Sequence, residues 1–229
     1  MKLAIVIPAY NEEGSIEKVL KTIPKKINGI KDISTIVVDD GSKDKTFKIA
    51  KKHADCAVSH LCNLGVGTAT ISGLDIAKKN GSDIVVTLDG DGQHNPENIA
   101  SLIKPILDKK ADIVIGTRMK NTKEMPKIKV FGNWAMNFIT FLFFRVWVTD
   151  SQSGMKAFSK KSLNELQLDS IEYEICSEII GEAKYKKLKI TEVRIDTIYT
   201  DYSKAKGQNI FNAINIFTKI ITIKNNKKR

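Results

Sequence analysis

The chain alternates short, mostly apolar runs with longer segments in which apolar residues recur at helical spacing. Runs at 3–8, 33–38, 56–59, 83–88 and 112–115 are short and rich in β-branched residues, which predicts strands. Between them the spacing predicts helices over about 13–26, 43–54, 67–80 and 96–109, the last opened by Asn95-Pro96 as cap and first-turn proline. Strands that are apolar throughout, alternating with helices, imply an α/β fold with a mostly parallel central sheet and helices on both faces. Ligands of such sheets bind outside the carboxyl ends of the strands.

Polar residues gather at those ends. The first strand runs into "PAYNEE", the second into "DDGS", the fourth into "DGDGQH" and the fifth into "GTR". These loops bring Tyr10, Glu12, Asp39, Asp40, Asp89, Asp91, Gln93 and Arg118 toward one rim. A single acidic loop would be read as a helix cap; four converging loops point to a site.

The second half follows a different pattern. Residues 128–148 are rich in aromatics, but the unbroken apolar part covers only about 138–144 before Arg145, too short for a spanning helix of about 20 residues. Trp134, Phe138, Phe141, Phe144 and Trp147 suit either core packing or a place in a membrane interface. Helices are expected at about 160–167 and 172–187, a strand at about 189–199, a lysine-bearing loop at 201–208 and a last helix at about 209–223. That helix would carry Ile210, Phe211, Ile214, Phe217, Ile220 and Ile221 on one face, ahead of the basic "KNNKKR".

Composition narrows the partners. A length of 229 residues with 42% hydrophobic content suits a single large domain. The formal charge of +11 calls for an acidic partner, whether nucleic acid, an anionic membrane or a phosphorylated substrate, with lysines at 184, 186, 187, 189, 204 and 206 contributing to it. Cys56, Cys62 and Cys176 lack CxxC spacing and read as reduced thiols, which removes zinc and disulfide chemistry. No signal-peptide pattern opens the chain, so a cytoplasmic protein is expected.

The glycines flanking Asp91 let the backbone bend so that several oxygens face one ligand, and Asp91 with Gln93 offers hard donors. Mg2+ or Mn2+ takes a few such oxygens and completes its shell with substrate phosphates, so a metal-bound diphosphate fits better than acid–base work. The G-x-G-x-x-G of a dinucleotide-binding protein and the P-loop are both missing, and "NLGVGTATISG" at 63–73 is a weak glycine pattern that close packing explains equally well. A receiver domain would end near residue 120 and leave the second half without a purpose.

In this order and spacing, "VIPAYNEEGSI", "VVDDGSKDKT", "NLGVGTATISG", "DGDGQHNPE", "IGTR" and "DSQSGMKAFS" resemble the family 2 glycosyltransferases. More narrowly they resemble the branch of dolichyl-phosphate mannose and glucose synthases. The resemblance covers about residues 1–200 and implies a GT-A nucleotide-diphospho-sugar transferase fold, with a nucleotide-sugar half at 1–118 and an acceptor half at 119–229. It implies a UDP- or GDP-linked donor, held by Pro8, Ala9, Tyr10, Glu12, Asp39, Asp89, Gly90 and Asp91, with Asp39 at the base. Asp91 and Gln93 would hold Mg2+ or Mn2+, and Asp91 and Arg118 would carry catalysis. The acceptor would be a polyprenyl phosphate, met by Arg118, Lys156, Lys204 and Lys206. The chain departs from many relatives at Met155-Lys156, where they have Phe-Arg, and in "DYSKAKGQN".

A phosphate monoester has its second pKa near about 6 and needs no protein base to attack, so direct displacement with inversion is expected. A glycan hydroxyl as acceptor would instead require a base, for which Glu178 and Asp150 are the candidates. His94 lies beside the metal motif without an assigned role, and His53 and His60 look incidental. A lipid acceptor implies peripheral attachment to the cytoplasmic face of a membrane, unaided or beside a separate membrane protein, and no nucleic acid partner.

Overall fold

The structure is a computed structural model and describes residues 1–119 and 127–198. Its strands are β1 (Lys2–Ala9), β2 (Asp32–Asp39), β3 (Cys56–Ser59), β4 (Ile84–Thr87), β5 (Ile113–Thr117), β6 (Lys156–Ser159) and β7 (Ile190–Arg194). They form one sheet in the order β3-β2-β1-β4-β6-β5-β7. Every neighbouring pair is parallel except those of β6, which runs antiparallel between β4 and β5. The helices are α1 (Ile16–Thr22), α2 (Thr46–His53), α3 (Val66–Lys79), α4 (Ile99–Leu107), α5 (Lys127–Phe144), α6 (Lys160–Glu165) and α7 (Ile175–Tyr185).

Side chains alternate across a strand, so β1 serves two cores at once. Leu3, Ile5 and Ile7 pack with α1 and α4 on one face, while Ala4 and Val6 pack with α3 and α7 on the other. The chain order turns back between β1 and β4, with β2 and β3 to one side and β4 to the other. That reversal opens a crevice at the carboxyl ends of β1 and β4.

Asn95 caps as expected, its side chain accepting from the Glu97 N–H at 3.1 Å, although the first turn, Pro96–Asn98, is a 3-10 turn ahead of α4. The glycines of "NLGVG" serve close packing. A Cβ on Gly67 would stand 2.4 Å from the Ser170 carbonyl, and the Gly67 N–H donates to Ile171 O at 2.8 Å. Helix α7 and its cap hold that same 167–172 loop from behind: Glu174 at the cap and Glu178 and Glu182 in the helix, all buried, accept backbone N–H groups of the loop.

The structure adds one strand that hydrophobic patterning does not show, β6, and ends the expected 189–199 strand at Arg194. Beyond Arg194 the chain crosses toward the β4 loop, where Thr197 bridges His94 and the Ile198 N–H donates to Gln93 O at 2.8 Å. The expected lysine loop with Lys204 and Lys206, and the expected helix at 209–223, lie outside the described residues.

Candidate active site

The ends of β1, β2, β4 and β5 meet at one rim, and each carries a distinct set of polar atoms. At the end of β2, Asp39 is almost completely buried; its Oδ2 accepts from the Ser59 hydroxyl at 2.7 Å, while its Oδ1 has no protein partner. A buried carboxylate oxygen without a donor is costly, so a ligand N–H reaching it would relieve that cost. Its neighbour Asp40 does a different job: it receives the Leu64 and Gly65 N–H groups at 2.9 and 2.8 Å and the His60 ring at 2.8 Å, fixing the approach to α3. His60 is therefore a structural strut.

The β1 and β4 loops are stitched together. The Ser15 hydroxyl lies 2.8 Å from both Glu12 Oε2 and the Gly90 carbonyl, and Gly90 packs 3.3 Å from Ala9 Cβ and from Pro8 O, measured from where its own Cβ would be. Glu12 is buried; Tyr10 stands exposed at the edge. Pro8, Ala9, Glu12 and Gly90 are thus brought into one wall, with Tyr10 on its lip.

Two aspartates follow β4 in opposite electrostatic settings. The enclosure of Asp89 pushes its carboxyl pKa up, but the His94 hydrogen bond at 3.1 Å and the charges of His94, Arg118 and Lys156 outweigh this and hold it below the ordinary carboxylate value. Burial pushes Asp91 up, the charge of Asp89 adds to that, and the net shift is upward. Asp91 accepts from the Gln93 N–H at 2.9 Å and from the Gln93 side-chain amide. An anionic group whose ionisation is disfavoured by burial and by a neighbouring carboxylate is a fit for a divalent cation, which supplies the missing positive charge. The amide would have to turn its oxygen toward that cation for Gln93 to share it, a rotation that changes little in shape. No group of three or more His, Cys, Asp or Glu side chains with metal-holding geometry exists among the described residues. A divalent cation at Asp91 would therefore need substrate phosphates or water to complete its shell.

Across β6, Arg118 follows β5. Its Nε and Nη2 donate to the two oxygens of Asp150 at 2.8 Å each, and its backbone N–H donates to the same carboxylate at 3.0 Å. Burial pushes the Asp150 pKa up; the charge and hydrogen bonds of Arg118, with the charge of Lys156, overcome that and bring it below the ordinary value. Asp150 is fully committed to this ion pair and does not offer itself as a base. Glu178, the other candidate base, is buried against the Asp169 and Ser170 N–H groups, on the far side of the loop it holds.

Lys156 differs from the sequence expectation. It is 1% exposed, and its ammonium donates to the Ser153 carbonyl, so it faces inward instead of toward an acceptor. The antiparallel strand explains this: its first residue pairs with Thr87 of β4 and Ile115 of β5, which puts the lysine beneath the rim. Its charge there lowers the pKa values of both Asp89 and Asp150.

Sequence reasoning also missed Gly154. A Cβ there would lie 2.1 Å from Asp89 Oδ2, so the absence of a side chain is what lets Asp89 occupy its place. The "SQSG" motif carried that signal, but only the unforeseen strand brings it to Asp89.

Breaking the Arg118–Asp150 pair isolates a largely buried guanidinium. Asp150→Ala is expected to cost about 3 kcal/mol of stability, read as a lower denaturant midpoint. Because the folded Asp150 pKa is lowered, its contribution is present above the ordinary carboxylate range and is lost as pH falls through the lowered value. Wild-type stability measured against pH should therefore drop on the acid side more steeply than that of Asp150→Asn.

The sheet reverses between β1 and β4, and the rim there sets Asp39, Asp89 and Asp91 on one side and Arg118 on the other, an arrangement that suits a nucleotide-sugar transferase. The glycosyl transferase family 2 model matches residues 4–167, and the chain belongs to that family. It is 44% identical to UDP-N-acetylglucosamine–dolichyl-phosphate N-acetylglucosaminyltransferase of Methanococcus voltae, across 97% of this chain and 96% of that one. It is 29% identical to dolichol-phosphate mannosyltransferase of Pyrococcus furiosus, across 92% of this chain and 61% of that protein. Among solved structures, glucosyl-3-phosphoglycerate synthase of Mycobacterium tuberculosis, in complex with Mn2+, UDP and glucosyl-3-phosphoglycerate, superposes with a TM-score of 0.68 at 22% identity, covering 96% of this chain and 77% of that one. The fold is thus the expected GT-A type.

Proposed function

We propose that the protein transfers N-acetylglucosamine from UDP-N-acetylglucosamine to a dolichyl-type polyprenyl phosphate, with inversion at the anomeric carbon. The arrangement of the rim carries this reading: the acids of β4 and the arginine of β5 are separated by one strand, about 10 Å at ordinary strand spacing. That span suits a diphosphate donor on one side and a phosphate acceptor on the other. Both carboxylates that might have deprotonated a glycan hydroxyl are engaged elsewhere, which favours an acceptor that is already a dianion. The near-full-length relative at 44% identity supports the choice of sugar and lipid.

In this mechanism Asp39 Oδ1 accepts the base N–H, and the Pro8–Glu12 wall with Gly90 flanks the nucleoside. Asp89, held by His94, orients the donor beside its pyrophosphate. Asp91 with Gln93 would hold Mg2+ or Mn2+, which when bound neutralises charge on the departing nucleotide diphosphate. Arg118, kept in one orientation by Asp150, receives the acceptor phosphate, and Lys204 and Lys206 are proposed to join it. Holding both anions in line is the chain's main contribution to rate.

The acceptor also gives the aromatic helix a purpose. The inner face of α5 buries Met136, Asn137, Thr140 and Phe144, while Phe131, Trp134, Phe138 and Leu142 are exposed at helical spacing along its outer face, with Trp147 exposed beyond its end. Trp134 and Phe138 stack with ring centroids 5.9 Å apart. Such a stripe suits shallow insertion into the cytoplasmic face of a bilayer. No helix among the described residues is long and apolar enough to cross one.

Incubation with a panel of UDP- and GDP-sugars and polyprenyl phosphate, with and without Mn2+, tests the proposal. Metal-dependent transfer of N-acetylglucosamine to the lipid phosphate is expected. Transfer to glycan hydroxyls alone would overturn it.

A further inference from the structure

The pairing of Arg118 with Asp150 depends on a turn that two other elements grip. From the inner face of α5, the buried Asn137 side chain brackets Asp150 on both sides: its amide nitrogen donates to Thr149 O at 2.6 Å, and its oxygen accepts from the Ser151 N–H at 2.8 Å. From β7, Glu192 Oε1 accepts from the Thr149 N–H at 2.8 Å and its hydroxyl at 2.9 Å, and from the Asp150 N–H at 3.3 Å. The turn then presents both Asp150 oxygens to Arg118.

We propose that Asn137 is a positioning residue for acceptor transfer, acting on Arg118 through the turn that carries Asp150. This rests on the reading of Arg118 as the acceptor-phosphate residue. An asparagine suits the task because one planar amide both donates and accepts, so two bonds fix the turn in position and in rotation. A bidentate arginine pair tolerates little misplacement, because both N–H···O bonds need their angles at once. The helix whose outer face bears the aromatic stripe thus holds the acceptor arginine with its inner face.

Asn137→Ala is expected to raise the acceptor KM about tenfold, ~1.4 kcal/mol, with the donor KM unchanged. Thr140→Val is the control, since it removes another buried bond of α5, to Ser177 at 2.9 Å, which reaches the turn only through Gln152 and the Ser151 hydroxyl and makes no bond to Thr149 or Asp150; it should leave both KM values alone. Should Asn137→Ala not fold, Asn137→Asp keeps the acceptor for Ser151 and loses the donor to Thr149, and carries the same test. The placement of Arg118 is also read without turnover, from its side-chain 15Nε–Hε resonance, assigned by its loss in Arg118→Lys. That signal should shift or broaden in the Asn137 variant and stay in Thr140→Val. An unmoved signal overturns the proposal whatever the activity; a moved signal with wild-type protein inactive on polyprenyl phosphate upholds the positioning and sinks the assignment of the acceptor. A fall in kcat alone, with both KM values constant, would mark Asn137 as merely structural.

Discussion

Asp91→Asn is expected to lower metal-dependent sugar transfer about 1,000-fold, ~4 kcal/mol of transition-state stabilisation, while making the metal-free protein more stable. The two effects share one cause. Burial and the charge of Asp89 raise the Asp91 pKa, so the fold holds a proton there more tightly than the unfolded chain does. The contribution of Asp91 to stability is therefore largest at acid pH and declines as pH rises through the raised value. At neutral pH the ionised carboxylate is a cost that a bound cation removes. Without metal, the asparagine variant should melt above wild type; with Mn2+, wild type should gain stability and the variant should not. Binding of Mn2+ to wild type should weaken as pH falls through a range above that of an ordinary aspartate. Full turnover in the variant, or an equal thermal response of both proteins to Mn2+, would remove Asp91 from the metal site.

The parts of this molecule that were legible in its sequence are those whose physics is local. Strands β1 to β5 announce themselves through apolar runs, and because a parallel sheet places its carboxyl ends together, the rim followed from the order of the elements. Strand β6 did not, since "KAFS" is four residues long, begins with a lysine and becomes a strand only by pairing with β4 and β5, each more than 35 residues distant in the chain. Everything that depends on that insertion was hidden with it: the inward turn of Lys156, the commitment of Asp150 to Arg118, and the contact of Gly154 with Asp89. The arginine of "GTR" was recognised at its position, but its partner lies 32 residues away and no spacing rule connects them. His94 belongs to the same class. Its motif gave it a place next to the metal residues, whereas its bond to Asp89 is visible only in three dimensions.

Gly154→Ala is expected to cost between about 100- and 1,000-fold in donor kcat/KM, ~3–4 kcal/mol, from the addition of a single methyl group. The methyl carbon would stand 2.1 and 2.3 Å from the two oxygens of Asp89, nearer than any non-bonded contact allows. The backbone has little room to retreat. Gly154 O accepts from the Thr87 hydroxyl at 2.7 Å on the β4 side, and the next carbonyl, of Met155, accepts from the Gly116 N–H at 2.9 Å on the β5 side. Asp89 must therefore yield, rotating away from His94 and from the place proposed for it beside the donor. The core is not involved, so the melting temperature should change by only a few degrees, and nucleotide binding by titration should weaken with the activity. The decisive measurement is the double variant. If Gly154 acts through Asp89, then adding Gly154→Ala to Asp89→Ala should cost almost nothing further, because the carboxylate it displaces is already gone. Additive losses would mean that the methyl group disturbs something other than Asp89, and a fully active single variant would mean that Asp89 does not need the place it occupies.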